Sequence, residues 1–134
     1  MGELGDLKQG DSLPELRVTP DKYLPHRYAG ASGDFNPIHI DPEFAKQVGL
    51  PSNILHGLWS MAQVARACVN AAGGDPRSLR RLSVQFRGMG FPEQELAVTA
   101  TVKAVEGGTA VIQAEVEQDG RRIIRKGEAE LRVG

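Results

Sequence analysis

Side chains capable of acid–base chemistry concentrate in one short stretch of the chain, residues 32–41. Asp34 supplies a carboxylate and His39 an imidazole, and such a pair can bind a water molecule and exchange a proton with it near neutral pH. The glycine, asparagine and proline residues between and beside them favour a tight loop that aims both side chains to one side. The alternative is a turn capped by Asp34, with His39 bonded to backbone.

A second motif, Ile54-Leu55-His56-Gly57, lies where a long helix is predicted to begin. The first amides of a helix lack intrahelical acceptors and carry a partial positive charge. If Gly57 lets a ligand come close, these amides could stabilise a developing oxyanion. The alternative is that Gly57 is only a permissive first residue and that His56 only packs there.

The predicted helix spans residues 57–72 and is apolar over most of its circumference. Its polar residues Ser60, Gln63, Arg66 and Asn70 form one narrow stripe. A helix with so wide an apolar surface must be enclosed by other elements.

The second half of the chain predicts strands that can enclose this helix. Apolar and polar residues alternate with a period of two, which indicates an antiparallel sheet covered on one face. The apolar positions are Leu82, Val84 and Phe86; Val98, Ala100, Val102 and Ala104; Ala110, Ile112, Ala114 and Val116; and Ile123, Gly127, Ala129, Leu131 and Val133. Gly107-Gly108 and Asp119-Gly120 predict two-residue hairpins. We therefore expect an α+β fold and a single domain over residues 1–134, with one long central helix on a curved antiparallel sheet.

The first half of the chain predicts shorter elements. Residues 13–18 should form an edge strand, because its proline cannot donate to a ladder. Thr19-Pro20-Asp21 predicts a helix to about Ala29, broken or kinked at Pro25. Residues 31–40 should be an ordered loop, and Asp41-Pro42-Glu43 should start a short helix ended by Gly49.

Composition excludes several classes of protein. The chain has 134 residues and a formal net charge of −1, which gives no general attraction to nucleic acid or to an anionic membrane. Cys68 is the only cysteine, so an internal disulfide and a four-cysteine zinc site are excluded. Residues 1–11 do not resemble a signal peptide, and no apolar run is long enough for a membrane span. A cytoplasmic location is expected.

Taken together, the motifs resemble a known family. The run from Tyr28 to Asp41, which contains Ser-Gly-Asp and Asn-Pro-Ile-His, is followed by Ala45 and then by His56-Gly57. This order is similar to that of the MaoC-like or R-specific enoyl hydratase (hydratase 2) family, and especially to its single-domain (3R)-hydroxyacyl-thioester dehydratase subunits. The resemblance extends from the first strand to the last.

The resemblance implies a hot-dog fold and a set of roles. Asp34 and His39 would be the catalytic dyad, and the Gly57 amide would be the oxyanion donor. Asn36 would support the loop, Ser60 would add a hydrogen bond to the dyad, and His56 would belong to the substrate-binding group. The reaction would be reversible hydration of trans-2-enoyl thioesters to (3R)-3-hydroxyacyl thioesters in fatty acid metabolism. No metal or redox cofactor is implied, because coenzyme A or acyl carrier protein enters as part of the substrate.

The resemblance also bears on assembly. A single hot-dog chain needs a second subunit to complete an acyl tunnel, so a homodimer, a higher homo-oligomer or a heterodimer with a related subunit is expected. The segment between the predicted strands at residues 91–96 is too short for a second hot dog in this chain. Pro25 interrupts a helix that is usually continuous in relatives, which could reshape the site entrance.

Three alternatives remain open at this point. The chain could be a hot-dog thioesterase or a noncatalytic subunit of a heteromeric dehydratase, because fold does not fix function. The side chains of Asp34, His39, Asp41 and His56 could instead bind a metal. Separately, four arginines could meet the phosphates of a coenzyme or the acidic face of a carrier protein, or could simply form a solvated strand face: Arg77, Arg80, Arg81 and Arg87.

Overall fold

The computed structural model describes residues 7–133, so the signal-peptide prediction falls partly outside the described residues. Within this range no helix is long and apolar enough to cross a membrane. In chain order the elements are β1 (Leu16–Val18), α1 (Leu24–Ser32), α2 (Pro37–Ile40), α3 (Pro42–Gln47), α4 (Gly57–Ala71), a 3-10 turn (Pro76–Ser78), β2 (Leu79–Phe86), β3 (Leu96–Glu106), β4 (Thr109–Gln118) and β5 (Arg121–Arg132).

The five strands form one antiparallel sheet in the order β1-β3-β4-β5-β2. Gly107-Gly108 joins β3 to β4, and Asp119-Gly120 joins β4 to β5. All four turn residues have positive φ, from 48° to 78°, as tight two-residue hairpins require. Both predicted hairpins and the edge position of β1 are therefore confirmed.

Bulges bend this sheet around α4. The pairing of β4 with β5 shifts register on both sides of Val116, and Lys126 adopts a left-handed φ of 51°. At the neighbouring Gly127 the backbone passes so close to β4 that an added Cβ would lie 2.7 Å from the Ala114 carbonyl oxygen. An extra residue in one strand increases local twist and bends it, which supplies the curvature.

The core lies between α4 and the concave face of the sheet, and the predicted α+β hot-dog arrangement is confirmed. Val64, Ala67 and Cys68 of α4 are buried against large strand residues such as Ile112 and Leu131. Burial raises the pKa of the Cys68 thiol to about 11. The helix that the sequence predicted over 57–72 is thus the centre of the fold.

The polar stripe of α4 is partly buried and partly exposed. Ser60 and Gln63 are buried, while the rest of the stripe is exposed. The buried face follows positions 60, 63, 64, 67, 68 and 71. Leu58 lies on the same side of the helix as the exposed Arg66, away from the buried face. Its side chain is therefore 62% exposed and is not part of the core.

The start of α1 also differs from the prediction. The helix begins at Leu24 and ends at Ser32, and Pro25 lies in its first turn, where a missing N–H breaks no helical bond. The Asp21 carboxylate accepts the Tyr23 N–H at 2.8 Å and so holds residues 21–23 in a turn before the helix. The predicted helix start at Thr19 and the predicted kink at Pro25 are wrong, because the helix only begins next to this proline; the effect of Pro25 on the site entrance stays a prediction.

The elements after α1 match the prediction more closely. The segment predicted as a loop over 31–40 contains the last turn of α1 and the short α2. Asp41 caps α3 as expected, because its Oδ1 accepts the N–H groups of Glu43 at 3.0 Å and Phe44 at 3.2 Å. Gly49, with φ of 93°, follows the end of α3.

The close approach of the Gly127 backbone to β4 leads to a prediction about stability. Gly127→Ala should lower the free energy of unfolding by about 1–3 kcal/mol, because the new methyl group meets a backbone oxygen that cannot move aside. The control is Gly30→Ala in α1, where an added Cβ meets nothing within 4 Å and should stabilise by about 0.4–1 kcal/mol. Urea denaturation followed by circular dichroism measures both. Equal stability of the two variants would contradict the close contact between the backbone at Gly127 and the Ala114 carbonyl oxygen.

Candidate active site

Asp34 and His39 are brought together by the reversal of the chain between α1 and α2. Gly33 ends α1 with φ of 79°, and Pro37 starts α2. The His39 Nε2 atom lies 3.8 Å from Asp34 Oδ2. His39 is buried, whereas the Asp34 side chain is 52% exposed. The two residues that the sequence singled out are therefore neighbours, one facing solvent and one held inside.

Local hydrogen bonds within the loop fix the direction of the Asp34 carboxylate. The Asp34 N–H donates to Ser32 Oγ at 3.2 Å. Asp34 Oδ1 accepts the Asn36 N–H at 3.2 Å, and Asn36 Oδ1 accepts the Ile38 N–H at 3.2 Å. One carboxylate oxygen is thus used to build the loop, and Oδ2 is left facing His39. Asn36 lies in the loop, as the resemblance implies for it.

The Ile54 carbonyl determines which His39 nitrogen can act as a base. His39 Nδ1 lies 2.8 Å from this oxygen, which can only accept, so Nδ1 carries the proton in neutral imidazole. The lone pair is then on Nε2, facing Asp34. The buried Asn53 donates from Nδ2 to the His39 carbonyl at 2.8 Å and fixes the backbone of α2. The sequence analysis did not identify Asn53 as a site residue. In the sequence it is only a polar side chain within a turn-forming segment.

The distance between the two acceptors suits a water molecule. Carboxylate and unprotonated imidazole nitrogen do not bond to each other, and 3.8 Å is beyond hydrogen-bond range. A water oxygen roughly 2.8 Å from both atoms would subtend an angle of about 85° and could donate one hydrogen to each. Its lone pairs would then remain free to attack an electrophile.

The start of α4 supplies the positive end of the site. Gly57 is the first residue of the helix, and within residues 7–133 its amide has no hydrogen-bond acceptor. The Phe86 ring packs directly against it, since an added Cβ would lie 3.1 Å from Phe86 Cε1. An amide at a helix N-terminus, next to a close-packed glycine, can donate to an anionic oxygen.

A cavity of about 190 Å³ lies between His39 and Gly57, while Asp34 reaches it only through its contact with His39 and is not on its wall. His39, Gly57 and the buried Ser60 lie on its wall, which is otherwise largely apolar. The remaining lining residues are Ile54, Leu55, Phe86, Gly88, Met89, Gly90, Ile123 and Ile124. Among the described residues Ser60 forms no hydrogen bond to Asp34 or His39, so the bond to the dyad that the resemblance implies is not seen, and Ser60 lies on the cavity wall instead. A base, an amide donor and a hydroxyl thus face one largely apolar space.

His56 lies behind this cavity and is absent from its lining. Its Nε2 is 3.0 Å from the Asp34 carbonyl oxygen. Its ring stacks on that of His39 with a centroid distance of 3.9 Å and an interplanar angle of 20°. The structure therefore places His56 against both members of the dyad, with its ring nitrogen directed to the Asp34 backbone.

Donor atoms of Asp34, His39 and His56 lie within 4.8 Å of one another, which is close enough for all three to ligate one metal ion. Asp41 is not in this group and caps α3 instead. Nearly parallel rings point their in-plane lone pairs side by side rather than at a common centre. The bonds of His39 Nδ1 and His56 Nε2 to backbone carbonyls leave the other nitrogen of each ring free, so they do not argue against a metal. Among the described residues this group offers three donors whose rings do not converge, which does not fit a closed tetrahedral site.

Most of the arginine cluster is engaged within the chain. Arg77 donates to Asp75 and thereby holds the pKa of that carboxyl below its usual value. Arg81 lies 3.4 Å from Glu130, and Arg87 donates to Gln85 at 2.7 Å. These contacts favour the solvated-face interpretation over a dedicated phosphate site.

Comparison with known proteins places this arrangement in a family. Residues 8–121 match the model of the MaoC-like domain. Peroxisomal enoyl-CoA hydratase 2 of Arabidopsis thaliana is 34% identical over 118 residues, which cover 87% of this chain and 36% of that protein. This chain thus spans about a third of that relative, and it spans smaller shares of other curated relatives.

Solved structures agree in fold. A MaoC-like dehydratase superimposes with a TM-score of 0.92 at 27% identity, over 98% of this chain and 42% of that one. The (R)-hydratase from A. caviae involved in PHA biosynthesis superimposes with a TM-score of 0.87 at 22% identity, over 96% and 98% of the two chains, and at that identity it shows the fold alone. The family match extends over most of the sequence and includes the dyad loop and the start of α4. The chain belongs to the MaoC-like family.

Proposed function

We propose that this chain catalyses the reversible hydration of trans-2-enoyl thioesters to (3R)-3-hydroxyacyl thioesters in fatty acid metabolism. The observation that carries the proposal is the 3.8 Å separation of His39 Nε2 and Asp34 Oδ2 beside a largely apolar cavity that also holds the Gly57 amide. Family membership and the name of the Arabidopsis relative support the same reaction.

In this mechanism the thioester carbonyl accepts the Gly57 N–H, with Ser60 as a further donor. Donation to the carbonyl oxygen stabilises the enolate that forms when water adds to C3. Asp34 and His39 hold that water, and His39 Nε2 takes a proton as the C3–O bond forms. The enolate collapses as C2 receives a proton from the same pair, so no net proton is gained or lost.

We also propose that no metal or redox cofactor takes part. Addition of water to the double bond is redox-neutral, and an amide donor can supply the electrophilic assistance. Coenzyme A or the acyl carrier protein would then belong to the substrate, as the family resemblance implies. The cytoplasmic location stays a prediction, and the name of the Arabidopsis relative assigns that protein to the peroxisome.

The active species is proposed to be a dimer or a larger assembly. The cavity of about 190 Å³ is small beside the roughly 300–1,000 Å³ usual for ligand sites. Two of its lining residues, Phe86 and Met89, are large apolar side chains that remain exposed, and Leu58 beside Gly57 is exposed as well. The free edge of β2 also ends at Phe86. A partner subunit, identical or related, would cover these groups and extend the cavity.

Removing either member of the dyad should abolish most activity. Asp34→Asn and His39→Asn should each lower kcat for hydration of crotonyl-coenzyme A by about 10²–10⁴, because an acid–base group is lost. Asn at position 39 keeps a donor for the Ile54 carbonyl, so this buried position stays hydrogen-bonded. The control Asp41→Asn changes a nearby carboxylate but preserves the helix cap and should leave kcat unchanged.

The same assay separates the candidate activities. Loss of enoyl absorbance without release of thiol supports a hydratase, whereas release of free thiol indicates a thioesterase. An inactive purified wild type that gains activity only with a related subunit indicates a noncatalytic or heteromeric role. Dyad variants with wild-type turnover would refute the assignment of Asp34 and His39.

The Gly57 amide can be deleted without disturbing the helix. Proline is tolerated at the first helical position, and the extended backbone of His56 (φ −67°, ψ 130°) suits a residue before proline. Gly57→Pro should therefore fold and lose about 10²–10³ in kcat. Gly57→Ala is the matched control, because it adds the same Cβ next to Phe86 but keeps the amide. Equal activity of the two variants would show that the oxyanion is bound elsewhere.

Assembly can be tested at the exposed apolar surface. Light scattering at micromolar concentration should give at least twice the 14.5 kDa chain mass. Leu58→Glu should dissociate the assembly and lower kcat, since a buried charge opposes association. Val105→Glu, on the β3–β4 hairpin, adds the same charge at another exposed apolar position and should do neither. A fully active wild-type monomer would overturn the proposed assembly.

A further inference from the structure

We propose that His56 is a positioning residue that joins the Asp34 loop, the His39 ring and the start of α4 into one unit. The inference rests on the proposed function, since it gives His56 a part in the same reaction. His56 does not line the cavity and would not touch the substrate. It acts instead through three groups that do the chemistry: the Asp34 loop, the His39 imidazole and the Gly57 amide.

The side chain of His56 is enclosed on all sides by the site. It is 3% exposed, and its Nε2 lies 3.0 Å from the Asp34 carbonyl oxygen. One face stacks on His39 at 3.9 Å. The Tyr28 ring lies against it at 4.7 Å with an interplanar angle of 49°. A ring held by one directional bond and two aromatic neighbours has little freedom to move.

The two stacked imidazoles are fixed in opposite tautomers by two backbone carbonyls. A carbonyl can only accept, so neutral His39 carries its proton on Nδ1 for Ile54, and neutral His56 carries its proton on Nε2 for Asp34. The first arrangement leaves the basic lone pair of His39 toward Asp34 Oδ2. The second uses the proton of His56 to hold the backbone that carries that carboxylate. The two rings thus perform different tasks although they lie side by side.

The main chain of His56 belongs to α4 while its side chain belongs to the dyad. Its carbonyl accepts the N–H groups of Trp59 at 3.1 Å and Ser60 at 3.4 Å, which starts the helix. Gly57 is the next residue. The separation between the Asp34 loop and the Gly57 amide is therefore set through one residue. In the proposed reaction that separation places the attacking water relative to the thioester carbonyl.

Loss of this link should affect turnover more than binding. A displacement of about 1 Å at reacting groups can cost on the order of 10²-fold in rate. His56→Phe keeps a stacked ring but has no donor for the Asp34 carbonyl, so we expect kcat to fall by roughly 10–100-fold with KM within about twofold. His56→Gln places an amide N–H near the former Nε2 position and should restore kcat to within about threefold of wild type.

The matched control is His26→Phe. His26 also directs its Nε2 to a backbone carbonyl, that of Ile40, at 3.0 Å, but it is exposed and lies outside the cavity. This variant loses the same kind of bond and should keep wild-type kcat and KM. Thermal melts of all three variants would show whether lost turnover follows lost folding.

A second measurement needs no activity. Nitrogen-15 spectra of the histidine rings in the wild-type protein should show His56 as the Nε2–H tautomer and His39 as the Nδ1–H tautomer. A His56 protonated on Nδ1, or a His56→Phe enzyme with wild-type kcat, would overturn the inference, as would failure of the folded His56→Gln enzyme to recover turnover. If the wild type hydrates no enoyl thioester, the proposed function fails, while the spectra still decide how His56 is bonded.

Discussion

The imidazole of His39 can serve as a base toward the cavity only if its Nε2 is free of a proton, and the Ile54 carbonyl imposes that condition. The hydrogen bond between His39 Nδ1 and this oxygen is 2.8 Å long and partly buried, so bulk water competes with it weakly. Ile54 itself directly precedes the segment that starts α4. The same few residues therefore determine the protonated nitrogen of the base and the position of the Gly57 amide.

The central helix meets two demands that normally conflict. Its middle must be apolar to fill the curved sheet, as Val64, Ala67 and Cys68 do. Its first turns must present polar groups to a ligand, and so Ser60 is buried without being part of the apolar core. The fold separates these demands along the helix axis. Gly57 and Ser60 lie near one end, beside the cavity, and the packed core begins one turn further on.

Sequence alone predicted the features that depend on periodic or local patterns. Alternation of apolar and polar residues predicted the long strands, and the glycine-containing dipeptides predicted both hairpins. The residue types in one loop indicated Asp34 and His39. Prediction from sequence failed where one side chain bonds to the backbone of a distant residue. Asn53 bonds to the His39 carbonyl and His56 to the Asp34 carbonyl, across 14 and 22 residues, and no spacing rule encodes such contacts. The beginning of α1 was misplaced because the Asp21 turn competed with an equally good helix-start signal at Thr19-Pro20.

The burial of Cys68 has a practical consequence for studies of this protein in solution. A thiol with a pKa near 11 is almost entirely protonated at neutral pH, and the protonated form is a poor nucleophile. The folded chain should therefore react very slowly with alkylating and disulfide reagents. One cysteine added at an exposed position would be the only readily labelled thiol. A spin label or fluorophore could then be attached at a chosen surface without replacing any native residue.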